Sequence, residues 1–262
     1  MSSPATADQL VKVQSSNIER YKRNFLKQAV CELRFPTLME LGESKPPAAV
    51  VHALRKEYPI LELANEVTFG VGMSNESNHI HTLRSSKMNW SVSIKQSALT
   101  IETTSYSEYT EMKARVLRVV QAAEKSIDTD FFTRIGLRYI NVIDVGSDPS
   151  DGWINPSLVS PIREGAFINI QEFAGKLLLS AQDGGCLLQH GIRLKPAVND
   201  AEVVPEYFID IDSFRSEVPL NEVASALDSM HAQAFNLFDW CLGEKSREYL
   251  ANPRNAKKRE GE

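Results

Sequence analysis

The chain has few of the features that announce a chemistry. Its three cysteines, Cys31, Cys186 and Cys241, lie far apart and none forms a CxxC pair. That excludes a disulfide framework and a recognisable zinc site, and makes a reducing cytoplasm the expected location. No run approaches the ~20 apolar residues that span a bilayer. The opening MSSPATADQL has neither the basic nor the apolar region of a signal peptide. Positive charge is not in excess either: a net charge of −5 disfavours a globally basic nucleic-acid binder, leaving only a local patch open. GxSxG, a P-loop and a GxGxxG after a strand are all missing. The expectation is therefore no catalytic residue, no cofactor and no metal.

What remains is ordinary globular composition, with 42% hydrophobic and 24% charged residues in 262. That suits one large domain or two small ones. The pattern is strand-rich. Gln28 to Phe35 alternates, with Ala29, Cys31, Leu33 and Phe35 on one face and Val30, Glu32 and Arg34 on the other. Pro46-Pro47 opens an apolar helical segment that Pro59 stops. Strands are expected at 67–73, 89–95 and 98–104. A helix then spans about 107–128, with Ser107 as N-cap and Met112, Val116, Val119, Val120, Ala123 and Ile127 in one stripe.

Thr133 to Val145, TRIGLRYINVIDV, predicts a long strand, and Asn155-Pro156 a short helix to about Ile162. Strands follow at 167–170, 176–182, 186–194 and 207–212, with a hairpin at Asp183-Gly184-Gly185. A last long helix covers about 219–243 and stops at Gly243.

The two halves look alike. Each opens on a strand with a Leu-Arg-aromatic triplet, Leu33-Arg34-Phe35 and Leu137-Arg138-Tyr139, and closes on a long amphipathic helix. The predicted architecture is α+β: pseudo-duplicated β-α-β-β-β-α units whose curved antiparallel sheet holds long helices. The expected organisation is a flexible lead-in at 1–20, repeats at 21–128 and 129–245, and a polar tail at 246–262. Lys257, Lys258 and Arg259 belong to that tail and read as a solvated terminus.

Four groups of residues invite a functional reading. Arg134 and Arg138 share one strand face with Gly136 between them. They either pair with acidic neighbours or clamp an anion, with Gly136 leaving room for a ligand. Asp210 and Asp212 share a face of another strand, and Asp144 ends a third. They read as a wet face or as partners of the arginines, and otherwise as a magnesium site. His79 and His81, in the loop-like MSNESNHIHT, read as surface histidines rather than metal ligands. On the last helix Met230 and Phe238 belong to the main stripe, while Phe235 and Trp240 fall off it, so the apolar surface is broader than one seam. That breadth fits a sheet-gripped helix, the roof of a hydrophobic cavity or a dimer interface.

The strands Lys27 to Phe35 and Arg134 to Asn141, with the last helix's His231, Phe235 and Phe238, resemble an uncharacterised bacterial family described as sporadically distributed. The resemblance spans roughly residues 20–245. It implies no assigned catalytic residues. It also implies mobile accessory genes of the kind that include anti-phage defence, where some sensors have a lipid-binding, helix-grip-like fold. The expected function is thus a non-enzymatic binding protein, a sensor component of such defence that recognises an apolar or lipid-like ligand. Arg134, Arg138, His231, Phe235 and Phe238 are the candidate ligand-binding residues. A partner protein encoded nearby and a homodimer are the macromolecular partners expected. The alternatives are a nucleic-acid-binding or processing protein that uses the arginine-lined sheet face, and a metal-dependent hydrolase built on Asp144, Asp210 and Asp212.

Overall fold

The computed structural model describes residues 5–18, 20–67, 77–145, 148–163, 165, 167–168, 170, 172–194 and 205–253. These form an α+β fold around one nine-stranded sheet, antiparallel at every pairing. The first half of the chain gives β1 (Leu26–Arg34), α1 (Ala48–Leu54), β2 (Ile60–Val67), β3 (Ser77–Arg84), β4 (Trp90–Lys95), β5 (Ala98–Thr103) and α2 (Tyr109–Ile127). The second half gives β6 (Phe131–Ile143), α3 (Pro156–Arg163), β7 (Glu172–Ala181), β8 (Gly184–Leu194), β9 (Pro205–Pro219), α4 (Val223–Cys241) and α5 (Glu244–Ala251). The strand order is β2-β3-β4-β5-β1-β6-β9-β8-β7, so the first strand of each half lies at the centre, paired with the other. Among the described residues no helix is long and apolar enough to cross a membrane.

The two-residue period decides which face is buried. Ala29, Cys31 and Leu33 of β1, Ile135 and Leu137 of β6, and Ile209 and Ile211 of β9 are at most 1% exposed. They join the stripes of α2 and α4 in one core on the helix side of the sheet. The alternate residues form an outer face of ion pairs, described below.

Two segments depart from the pattern expectation. β3 occupies part of the stretch read as a loop, and β2, which ends at Val67, was not expected; of the strand expected at 67–73, residues 68–73 lie outside the described residues. β2 escaped notice because its Leu61 and Leu63 are exposed, so its pattern is not that of a core strand. β3 escaped because His81 takes an inward position where an apolar residue would signal a strand. His81 is buried, and its Nε2 lies 2.9 Å from the Glu43 carbonyl; the His79 Nδ1 lies 3.1 Å from that of Gly42. These histidines are structural contacts to Gly42 and Glu43, at the end of the turn Met39–Gly42, not loose surface groups. In the second half, residues 167, 168 and 170 carry no strand, whereas β9 is longer than expected at both ends.

The described residues toward each end, 5–18 and 244–253, are more organised than expected. Ala7 is fully buried and donates its N–H to Asp183, while Asp8 pairs with Arg215 and Ser229. Ser15 reaches Asn236, and Asn17 and Tyr21 reach Asp239. The lead-in is therefore tied along α4. Its ties are polar side chains, which no apolar period reveals. At the other end, Gly243 does stop α4, but it also N-caps α5, whose Leu250 is buried. A Cβ on Gly243 would lie 2.2 Å from the Gly152 carbonyl oxygen, so only glycine permits this close backbone approach. Lys257, Lys258 and Arg259 lie outside the described residues.

Candidate functional site

The two arginines of the central strand sit on the outer face. Arg134 donates to Asp212 at 2.8 Å, with Glu32 at 3.6 Å, and its guanidinium lies 4.9 Å from the Phe214 ring centre. Arg138 holds Asp210 through two bonds, at 2.8 and 2.5 Å. Arg34 pairs with Glu32 at 2.6 Å and is well exposed. A Cβ on Gly136 would lie 2.3 Å from the Arg134 Nη1. The room that Gly136 provides is thus filled by the Arg134 guanidinium itself, on its way to Asp212. Burial lifts the Asp212 carboxyl above the ordinary carboxylate range, and Arg134 and Arg138 pull it back. The pairing raises Arg138, Asp210 being the main cause. Each arginine already has a carboxylate.

The difference in burial gives an expected contrast. Arg134→Ala leaves Asp212 without its donor and should cost about 1–2 kcal/mol. Arg34→Ala breaks an exposed pair and should change stability by less than about 0.5 kcal/mol. Urea melts of both variants check this; equal costs would contradict the role given to Asp212.

The helix side of the sheet carries a cleft of about 620 Å³. Tyr139 and Asn141 of β6 and Ile211 of β9 contribute from the sheet, and His231, Ala234, Phe235 and Phe238 from α4. The turn before α2 supplies Tyr106 and Glu108, and the helix's first residue is Tyr109. The segment leading into β1 supplies Ile18 and 21–24, with Leu26. His231, Phe235 and Phe238 therefore converge as candidates on one site, while Arg134 and Arg138, alternating with Tyr139, face away from it.

An aromatic network lines the cleft. The His231 ring stacks on Tyr109, with centres 3.9 Å apart and planes at 4°. Its Nδ1 lies 3.0 Å from the Tyr139 hydroxyl. Tyr106 meets Tyr139 edge to face at 5.7 Å, Phe235 meets Tyr21 at 5.9 Å, and Phe238 meets Phe235 at 6.4 Å. Burial pushes the His231 imidazole down to about 4, with Asp228 partly opposing it. Burial pushes Tyr106 up to about 12 and Tyr139 well above its usual value. Tyr109 rises through burial and its bond to Asp228, and Tyr21 through burial and its bond to Asp239. At neutral pH this wall is therefore uncharged but offers hydroxyls and an imidazole.

The tyrosines were the residues missed. Tyr21 and Tyr106 sit in irregular segments without periodicity, and Tyr109 is the first residue of α2, one turn before Met112 on the same stripe. The local signal was Tyr106 and Tyr109, three apart in SYSEYT at the start of a helix. Ser107, expected as N-cap, instead donates to the Glu111 carboxylate, and Glu108 takes the cap position. Among the described residues no cluster of three or more His, Cys, Asp or Glu side chains suits a metal ion. Asp210 and Asp212 are held by the arginines. Comparison with models of known protein families and with curated proteins finds no match for the chain.

Proposed function

We propose that the chain is a non-enzymatic binding protein that takes an apolar or lipid-like small molecule in the cleft beneath α4. One observation carries this reading: a space of about 620 Å³, within the size of ligand pockets, lies between α4 and the sheet and is walled by aromatic side chains. Because burial keeps His231 neutral and the tyrosines protonated, an apolar body meets no fixed charge along that wall. The resemblance to the sporadically distributed bacterial family adds the context of a defence sensor, acting with a nearby-encoded partner or as a homodimer.

The pseudo-duplicated, helix-grip-like architecture is part of the same proposal. Glu32 stands opposite Gly136, and a two-fold axis there carries Leu33-Arg34 onto Leu137-Arg138. α2 and α4 are both 19 residues long. Aligned from their first residues, buried Val116, Val119, Val120, Ala123 and Ile127 match buried Met230, Gln233, Ala234, Leu237 and Cys241. On this reading the site is a place where the two halves differ: α4 carries Phe235 and Phe238 where α2 has Gln121 and Glu124.

Native mass spectrometry of the purified protein and flotation with liposomes test the binding reading. A non-covalent adduct or co-flotation is expected. A bare protein mass together with no flotation would overturn it. Nucleic acid is expected to give no band shift at low salt, since the outer-face arginines are already paired.

A further inference from the structure

The sheet ends on one side in β7, which among the described residues has β8 as its only neighbouring strand. α4 packs on β9 and β6, and β7 lies two strands beyond β9, about 10 Å away. A helix of about 5 Å radius does not reach that far. Leu177 pairs with buried Leu188 and so faces the helix side, yet it is 46% exposed. Leu178, on the outer face, is 58% exposed.

These two neighbours fix the shape of what can cover them. Successive strand residues point to opposite faces, so a helix or loop laid on one face covers only one leucine. An added strand enters in the plane of the sheet, flanks both, and meets the outward N–H and C=O groups of β7. Sheets ordinarily guard such an edge with proline, bulges or charge. From Gly175 to Ala181 β7 has no proline, its register with β8 is unbroken, and Lys176 is its one charge.

The strand that fits this edge best is β7 of a second copy. In antiparallel pairing about a two-fold axis at Leu178, Leu178 meets its own counterpart, Leu177 meets Leu179, Lys176 meets Ser180 and Gly175 meets Ala181. Each leucine gains an apolar neighbour, and no like charges stand opposite one another. An axis at Lys176 would set two ammonium groups face to face. One at Ala174 would carry Leu177 and Leu178 past the first residue of the opposite strand, Glu172. Pairing with β2, the other edge, is head-to-tail and does not close at two chains.

We infer that β7 is the interface of a homodimer in which two nine-stranded sheets join edge to edge around Leu178. This rests on the homodimer part of the functional reading and not on the ligand: an empty cleft leaves the pairing intact, and a monomer leaves binding in the cleft intact.

Sedimentation equilibrium of the full chain tests the pairing between about 1 μM and about 0.2 mM, where a small interface is expected to dissociate. Wild type is expected to pass from one chain mass to two as concentration rises. Leu178→Lys changes an exposed side chain, places two charges at the axis and should weaken association about tenfold or more. Leu178→Glu should do the same. Mixing the two variants in equal amounts should restore association, because residue 178 meets only its own counterpart. Leu63→Lys, at an exposed position on β2, should leave association unchanged. A wild type that stays at one chain mass overturns the inference. So does growth beyond two chains, association lost in Leu63→Lys but kept in Leu178→Lys, or a mixture no more associated than either variant alone.

Discussion

Asp239→Ala should lower stability by about 3 kcal/mol and open one wall of the cleft. Asp239 is the buried carboxylate of α4 to which three side chains from two parts of the chain attach. The Asn17 amide donates to it at 3.3 Å, the Tyr21 hydroxyl donates to it, and the Arg247 Nε reaches it at 3.4 Å. Truncation leaves the half-buried Tyr21 hydroxyl without its acceptor, at a cost of about 1–3 kcal/mol. The loss of the Asn17 bond adds less, and the Arg247 pair adds little because that side chain is partly exposed. A fall in melting temperature of roughly 6–12 °C follows from the usual scaling for a chain of this size. The second consequence is local. Residues 17 and 21 hold the segment from which Ile18, Lys22 and Arg23 line the cleft, so affinity for decanoate, taken as a lipid-like probe, should fall more than stability alone explains. Asp239→Asn keeps an oxygen for Tyr21 and should fall between wild type and alanine. Thermal melts with parallel titrations check both parts. An alanine variant that melts like wild type would show that the N-terminal segment is not held this way.

His231 should make stability depend on pH in a direction opposite to that of a paired histidine. Its folded value, about 4, lies below its ordinary 6.5 because burial opposes the charged form. The unfolded chain therefore binds the proton more readily. The stability associated with neutral His231 is fully present above about pH 6.5, declines as pH falls, and is lost below about pH 4. The difference corresponds to up to about 3 kcal/mol. Other groups also titrate in this window, so the informative quantity is the gap between wild type and His231→Gln. That gap should shift against wild type by about 2–3 kcal/mol between pH 7 and pH 4, as urea melts would show. A constant gap would mean that the imidazole is hydrated and not stacked in a dry layer between Tyr109 and Tyr139.

How much of this could be read from sequence depended on whether a segment has a period. α2 and α4 were legible because Val116, Val119, Val120 and Ala123, and later Val223, Leu227, Met230 and Ala234, repeat on one helical face. β1 and β6 were legible because their alternation is strict from Ala29 to Leu33 and from Ile135 to Tyr139. The alternation puts Arg134, Arg138, Asp210 and Asp212 on outward positions and left their pairing as one open reading; the register of β6 and β9 decides it. β3 was not legible, since a histidine satisfied by a carbonyl looks polar in sequence and behaves as core in the fold. The N-terminal ties were invisible for a related reason: Asp8, Ser15 and Asn17 have no pattern, and their partners lie more than two hundred residues away. The cleft was half legible. The breadth of the apolar surface on α4 raised the possibility of a roofed cavity, but its tyrosines come from irregular segments that only the fold brings together. The arginines, the most conspicuous residues in sequence, proved to be on the other side of the sheet.

Centrally, the cleft between α4 and the sheet is proposed to bind a small apolar or lipid-like molecule. The most direct measurement is native mass spectrometry of the intact protein, first as purified and then after delipidation and reloading with decanoate. One bound molecule per chain, released on denaturation, is the predicted result. A protein that shows only its bare mass in both states, with wild type taking up no decanoate, would contradict it.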